Sequence, residues 1–298
     1  MIRPRGQAGT TNERRVHLPK LPPGREIELP GRGTTFVREL DGPTPTSPTV
    51  LLLHGWTASA DINWRRCYYP LSSQYRVIAL DHHGHGGGIR SRKIFRLLEC
   101  AGDAAALADV LGIERYIPVG YSMGGPIAQL MWKHHPERVL GLVLCATATS
   151  FATSREEKLS FMGLSGLAAV ARVAPTQTRQ WLTEQMFLRR KTDQWDPWSI
   201  EQVGRHEWRT VLEAGRAIGK FSSRAWIEGI DVPTSVIMTM RDHVVPLRRQ
   251  VRLFESISGA EAFQVDGDHD ACVANADDFV PTLLRAIHSV CERAGITP

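Results

Sequence analysis

Three residues of this 298-residue chain combine the side chains of a nucleophile, a base and an acid with placements that suit those roles. Ser122 stands in Gly120-Tyr121-Ser122-Met123-Gly124, after the apolar run Tyr116-Ile117-Pro118-Val119 and before a helix-like segment, 126–134. A serine hydroxyl attacks a carbonyl carbon only when it is exposed, aligned with a base and set beside donors for the developing oxyanion. A sharp strand-to-helix turn provides all three. It strains the serine backbone, its glycines admit close neighbours, and the helix N-terminus aims N–H groups at negative charge. Pro126 suits a first helical turn, where a missing N–H costs nothing. Chance alone produces G-x-S-x-G roughly 0.1 times at this glycine and serine content, so the partners decide.

Two later apolar runs end in those partners. Residues 236–240 lead into Arg241-Asp242-His243, and 263–265 lead into Asp266-Gly267-Asp268-His269-Asp270. The chain order Ser122, Asp242, His269 is the one expected for this type of elbow. Each residue follows a strand, where open α/β sheets place their ligands. In these roles Ser122 attacks, His269 takes and returns the proton, and Asp242 fixes the imidazole tautomer. The run Leu51-Leu52-Leu53-His54-Gly55-Trp56 supplies the remaining part. Its Trp56 backbone N–H, with that of Met123, forms the expected oxyanion hole, each donor worth about 3 kcal/mol. His54 reads as a brace for that loop. His243 competes as base, and Asp266, Asp268 and Asp270 compete as acid, but each lies too close in sequence to its neighbour to complete the relay. His85-Gly86-Gly87-Gly88 is a rival donor loop that follows the wrong strand. Asp81, His82, His83 and His85 share one turn without the distant ligands a metal site needs.

The elements that position these residues alternate. Strands are predicted at 26–29, 35–39, 49–53, 76–80, 116–119, 139–145, 234–240 and 262–265, with helices between them, as at 97–111 and 129–134. Apolar strands separated by helices predict an α/β protein, a mostly parallel eight-stranded sheet covered on both faces. Turn chemistry at 30–33 predicts an antiparallel hairpin at one edge. Residues 1–24 read as a loose arm, 25–150 and 228–298 as the core, and 151–227 as an inserted helical cap. The cap region carries Trp181, Trp195, Trp198, Trp208 and Trp226.

Composition narrows the function classes. A net charge of +5 without a basic, aromatic-laced run argues against nucleic acid as a partner. Five dispersed cysteines without C-x-x-C suit reduced thiols in a cytoplasmic compartment. No apolar h-region follows the basic first residues, and no run has the length of a membrane span.

The motifs together resemble the α/β-hydrolase superfamily, in its cap-bearing serine esterase branch. The resemblance rests on His54-Gly55-Trp56, the D-x-x-G-H-G of residues 81–86, G-x-S-x-G-G of 120–125, D-x-x-V-P of 242–246, and His269. Two departures stand out: His83 takes a place often held by arginine, and Asp268 and Asp270 flank His269. The resemblance implies an α/β-hydrolase fold and hydrolysis of a small apolar ester through an acyl-serine, with no cofactor. It implies thioesters or carbon–carbon bonds beside a ketone as alternatives. For the latter, Arg189, Arg190, Arg205 or Arg209 would hold a substrate carboxylate. A serine nucleophile argues against the aspartate-dependent epoxide hydrolases and haloalkane dehalogenases of the same superfamily. A binding protein that keeps the fold without turnover is the expectation from another class.

Overall fold

A computed structural model describes residues 20–173 and 197–297. Part of the expected arm, together with Trp181, Trp195, Arg189 and Arg190, lies outside the described residues.

Eight strands form a single sheet in the order β1-β2-β4-β3-β5-β6-β7-β8. They are β1 (Gly24–Leu29), β2 (Gly33–Leu40), β3 (Thr49–Leu53), β4 (Arg76–Leu80), β5 (Ile117–Tyr121), β6 (Leu142–Cys145), β7 (Thr234–Thr239) and β8 (Glu261–Val265). The β1–β2 hairpin is antiparallel, as is the β2–β4 pair, and every later pairing is parallel. Six strands differ from the predicted bounds by one to three residues, and two of these shifts have a visible cause. β5 runs on to Tyr121 because Gly120 and Tyr121 stay in register with Leu144 and Cys145. β6 starts late, since the chain turns through Pro136–Arg138 and Val139 makes only an isolated bridge to Tyr116.

Side-chain alternation builds two cores from one sheet. Along β3, Val50 and Leu52 face one cluster while Leu51 and Leu53 face the other. Helices α1 (Ala60–Trp64), α2 (Tyr68–Ser72), α9 (Ala271–Ala274) and α10 (Ala276–Arg293) bury Trp64, Tyr68 and Phe279 on the first face. Helices α3 (Leu97–Val110), α4 (Gly124–His134) and α8 (Leu247–Glu255) bury Leu107, Ile127 and Leu253 on the second. Period-2 alternation with both faces covered explains why the strands read as continuous apolar runs.

Between β6 and β7 the chain leaves the sheet through α5 (Arg155–Val173), α6 (Pro197–Gly204) and α7 (Trp208–Lys220). Helix α5 begins on a capping box. Ser154 Oγ accepts from the Glu157 N–H at 3.1 Å, and Glu157 Oε2 accepts from the Ser154 N–H at 3.0 Å. Glu157 also pairs with Arg249 of α8, whose Nη1 donates to Phe151 O, so this cap ties α5 to the core. Burial pushes the Glu157 carboxyl up, but the Ser154 and Thr153 N–H groups and Arg249 outweigh it and bring it to about 2. A depressed folded-state pKa contributes stability above the unfolded value near 4.5, lost as pH falls through 2. Because the side chain is about a third exposed, we expect Glu157→Gln to cost only about 1 kcal/mol at pH 7. Thermal unfolding should show that difference shrinking between pH 4 and 2, and a pH-independent gap would exclude this origin.

Candidate active site

The ends of β5, β7 and β8 converge, and with them three of the side chains singled out in the sequence. His269 Nε2 lies 2.9 Å from Ser122 Oγ, and His269 Nδ1 lies 2.8 Å from Asp242 Oδ2. Ser122 holds φ at 52°, a left-handed conformation that costs a non-glycine residue about 1–3 kcal/mol. Its own peptide groups hold it there: the N–H donates to Cys145 O at 2.9 Å, and Thr147 Oγ1 donates to the Ser122 carbonyl at 2.8 Å. The turn is tight enough to demand glycine at two places. A Cβ on Gly124 would lie 2.0 Å from Leu53 O, and one on Gly120 would lie 2.3 Å from Gly124 O.

Asp242 is buried and saturated with donors. Oδ1 accepts from the Val244 and Val245 N–H groups at 2.8 and 2.7 Å. Oδ2 accepts from Thr239 Oγ1 at 2.7 Å and Gln250 Nε2 at 3.2 Å, besides the imidazole. Gln250, fully buried on α8, also accepts from the Thr239 N–H at 3.0 Å and donates to Val245 O at 2.7 Å. Two of the competing acids are engaged elsewhere: Asp268 holds the His243 ring at 2.8 Å and accepts from the His269 N–H, while Asp266 pairs with Arg241; Asp270 borders the cavity. His243 itself is exposed and turned away to Asp268. Tyr121 donates its hydroxyl to His269 O at 2.8 Å, bracing the loop from behind.

The loop after β3 runs beside the serine, where a Cβ on Gly55 would sit 3.3 Å from Ser122 Cβ. Asn63 Oδ1 takes the Gly55 N–H at 2.6 Å. Among the described residues, the backbone N–H groups of Trp56 and Met123 have no acceptor in the protein. His54 braces this loop. Its Nε2 accepts from the His82 N–H at 2.9 Å, which leaves the proton on Nδ1 to donate to Gly55 O at 2.8 Å. Burial holds this imidazole well below its usual pKa, consistent with that neutral tautomer. The rival loop has no N–H to spare: Gly86 donates to His206, Gly87 to Asp81, and Gly88 to His85 O. Among the described residues no three His, Cys, Asp or Glu side chains converge to hold a metal ion.

A cavity of about 460 Å³ opens over Ser122 and His269, walled by Trp56, Ala58, Ile62, Val273 and Ala274, with Arg65 and Ser199 at its polar side. Arg65, unlike Arg205 and Arg209, therefore brings a cation to the cavity; Arg209 instead pairs with Glu207 and Glu213. Cys272 also borders the cavity, but burial pushes its thiol up to about 12, so it stays protonated. All five cysteines are buried and free, and no described helix is long and apolar enough to cross a membrane.

Comparison with known proteins agrees with this architecture. Over 116 residues the chain is 35% identical to epoxide hydrolase B of Mycobacterium tuberculosis, covering 38% of this chain and 32% of that protein. The chain thus spans about a third of the length of that curated relative. Over 264 residues it is 26% identical to pimeloyl-[acyl-carrier protein] methyl ester esterase of Chromobacterium violaceum, covering 81% of this chain and 95% of the esterase. The enol-lactonase structure from Burkholderia xenovorans superposes with a TM-score of 0.71 at 22% identity, covering 89% of this chain and 100% of that one. The profile of the alpha/beta hydrolase fold matches residues 48–273, and the chain belongs to that family.

Proposed function

We propose that this protein hydrolyses a small carboxylic ester through an acyl-serine intermediate. The observation that carries the reading is the unbroken hydrogen-bonded line from Ser122 Oγ through His269 to the buried Asp242. Asp242 accepts from His269 Nδ1–H and so leaves Nε2 as the free base facing the hydroxyl. Ser122 Oγ attacks the carbonyl carbon as Nε2 takes its proton, and the imidazolium then protonates the departing alcohol. Water, deprotonated by the same nitrogen, releases the acid. The unspent N–H groups of Trp56 and Met123 receive the oxyanion in both steps. Helices α5 to α7 serve as a cap over the cavity.

The relatives divide on chemistry, and the elbow residue favours one side. Opening an epoxide through an alkyl-enzyme ester needs a carboxylate nucleophile, and the elbow here carries a hydroxyl. The whole-length relative named for a methyl ester esterase fits Ser122 without adjustment. A cavity of about 460 Å³ suits a small ligand, since such pockets run to about 300–1,000 Å³. We expect p-nitrophenyl esters of graded acyl length to be hydrolysed with an optimum at short to medium chains. Silence across the series in a protein that a fluorophosphonate still labels redirects the reading to thioesters or carbon–carbon bonds. Silence without labelling favours a binding protein.

A further inference from the structure

Two anchors hold the peptide on either side of Trp56, and one of them belongs to the cap. Upstream, the core residue Asn63 fixes Gly55. Downstream, His206, in the turn between α6 and α7, places Nε2 3.1 Å from Thr57 O. The same ring accepts the Gly86 N–H on Nδ1 at 2.8 Å, which fixes the proton on Nε2 and makes Thr57 O the acceptor. One neutral imidazole therefore joins three segments distant in sequence. His206 is 6% exposed, and burial, joined by the charge of Arg90, brings its pKa down to about 4 against the pull of Thr57 O. The carbonyl it holds belongs to a strained residue, for Thr57 has φ of 64°. Neighbouring bonds seat the turn itself: the Glu207 N–H donates to Gly84 O at 2.7 Å, and Arg90 donates to Arg205 O at 2.7 Å. A second tie runs from Trp56 Nε1–H to Val211 O of α7 at 2.7 Å. The indole lies so close to α7 that a Cβ on Gly215 would meet it at 2.5 Å.

We infer that His206 is a positioning residue through which the seated cap aligns the Trp56 N–H for the oxyanion. The inference rests on the acyl-serine reading proposed above. Without the imidazole, Thr57 is free to relax from its left-handed conformation, and the Trp56 peptide turns with it. Both ties come from the turn before α7 and from α7 itself, so the oxyanion hole is complete only with these segments seated. A substrate carbonyl feels little of this in the ground state; the oxyanion of the tetrahedral intermediate feels all of it.

The test compares wild type with His206→Ala, His206→Gln and Trp56→Phe, using p-nitrophenyl butyrate and a trifluoromethyl ketone whose adduct with serine carries an oxyanion. For His206→Ala, kcat should fall about 10- to 100-fold with KM within about threefold, and ketone affinity should weaken in parallel. Glutamine offers one acceptor and one donor on a similar reach and should recover most of the loss. Phenylalanine keeps an aromatic side chain but loses the tie to Val211 together with part of the ring, and should lower kcat several-fold. If His206→Ala fails to fold, the glutamine and phenylalanine variants carry the comparison. Unchanged kcat in the alanine and phenylalanine variants, or a fall confined to KM with ketone affinity kept, overturns the inference while leaving the acyl-serine reading intact. A wild type that neither cleaves the ester nor reacts with the ketone removes that reading, and the inference falls with it.

Discussion

Ser122→Ala should reduce kcat/KM for p-nitrophenyl butyrate by about 10⁴- to 10⁶-fold while leaving the protein folded. The size follows from what the substitution deletes. Alanine keeps the Cβ and the left-handed backbone but loses the one atom within 2.9 Å of His269 Nε2. Chemistry then depends on whatever water the imidazole can activate, assisted by the Trp56 and Met123 donors, and such residual catalysis over solution is known to survive loss of a nucleophile. Stability should move little, because Ser122 is held by its own N–H and C=O to Cys145 and Thr147, and both bonds remain. Steady-state rates, the thermal midpoint and the mass shift after fluorophosphonate treatment decide the matter together. A variant that retains activity within tenfold of wild type ends the acyl-serine mechanism, whatever the geometry.

The residues proposed to carry this chemistry are legible because each follows a strand. Strands 49–53 and 76–80 coincide with β3 and β4, since the last four residues of each are apolar and a polar residue, His54 or Asp81, follows. Ser122, Asp242 and His269 follow β5, β7 and β8, whose ends the sheet places close together. Where the local pattern misleads, long-range pairing is the reason. Gly120 looks like the end of a strand but stays in the ladder opposite Leu144, while Val139 looks like strand and is only bridged. The antiparallel pairing of β2 with β4 leaves no mark in either segment.

Among the supporting residues, His54 is legible as a brace beside its glycine, whereas Gln250 and His206 are not. Gln250 sits in Leu247-Arg248-Arg249-Gln250-Val251, where it reads as one more polar residue on a basic helix. Only the rotation of α8 against β7 brings its amide to Asp242 and Thr239. His206 sits in a turn with no local signal, and its value comes from Gly86 and Thr57, more than a hundred residues away. Likewise the glycine tract 86–88 advertises free N–H groups, yet each of the three is spent on a side chain or carbonyl. Residue type and strand position point to the candidate reacting groups; packing reveals holding groups such as Gln250 and His206.

Asp242→Asn carries the second large effect, and it separates charge from shape. The amide matches the carboxylate in size, but one of its two terminal atoms becomes a donor. Oδ1 must keep accepting from the Val244 and Val245 N–H groups, so the new NH₂ takes the position of Oδ2. There it faces the Gln250 amide, which already donates to Val245 O, and His269 Nδ1. Thr239 can rotate its hydroxyl to accept, but the imidazole can accept only by giving up its Nδ1 proton. The ring then carries hydrogen on Nε2 and donates to Ser122 instead of accepting from it. With the base reversed and the imidazolium no longer faced by a negative charge, kcat should fall about 10⁴-fold. KM should change little, because Asp242 lies behind the histidine and does not border the cavity. Binding of the trifluoromethyl ketone should weaken as well, since its adduct needs the imidazolium beside it. The variant also buries a donor against a donor at Gln250, a loss of about 1–3 kcal/mol in stability. Asp242→Asn paired with Gln250→Glu tests that origin, because a protonated glutamic acid can keep its hydroxyl donating to Val245 O while the same oxygen accepts from the new NH₂. Recovery of the thermal midpoint without recovery of kcat would assign the stability loss to the donor clash and the rate loss to the tautomer. Near-normal kcat in the single variant would instead mean that Asp242 does not orient the base.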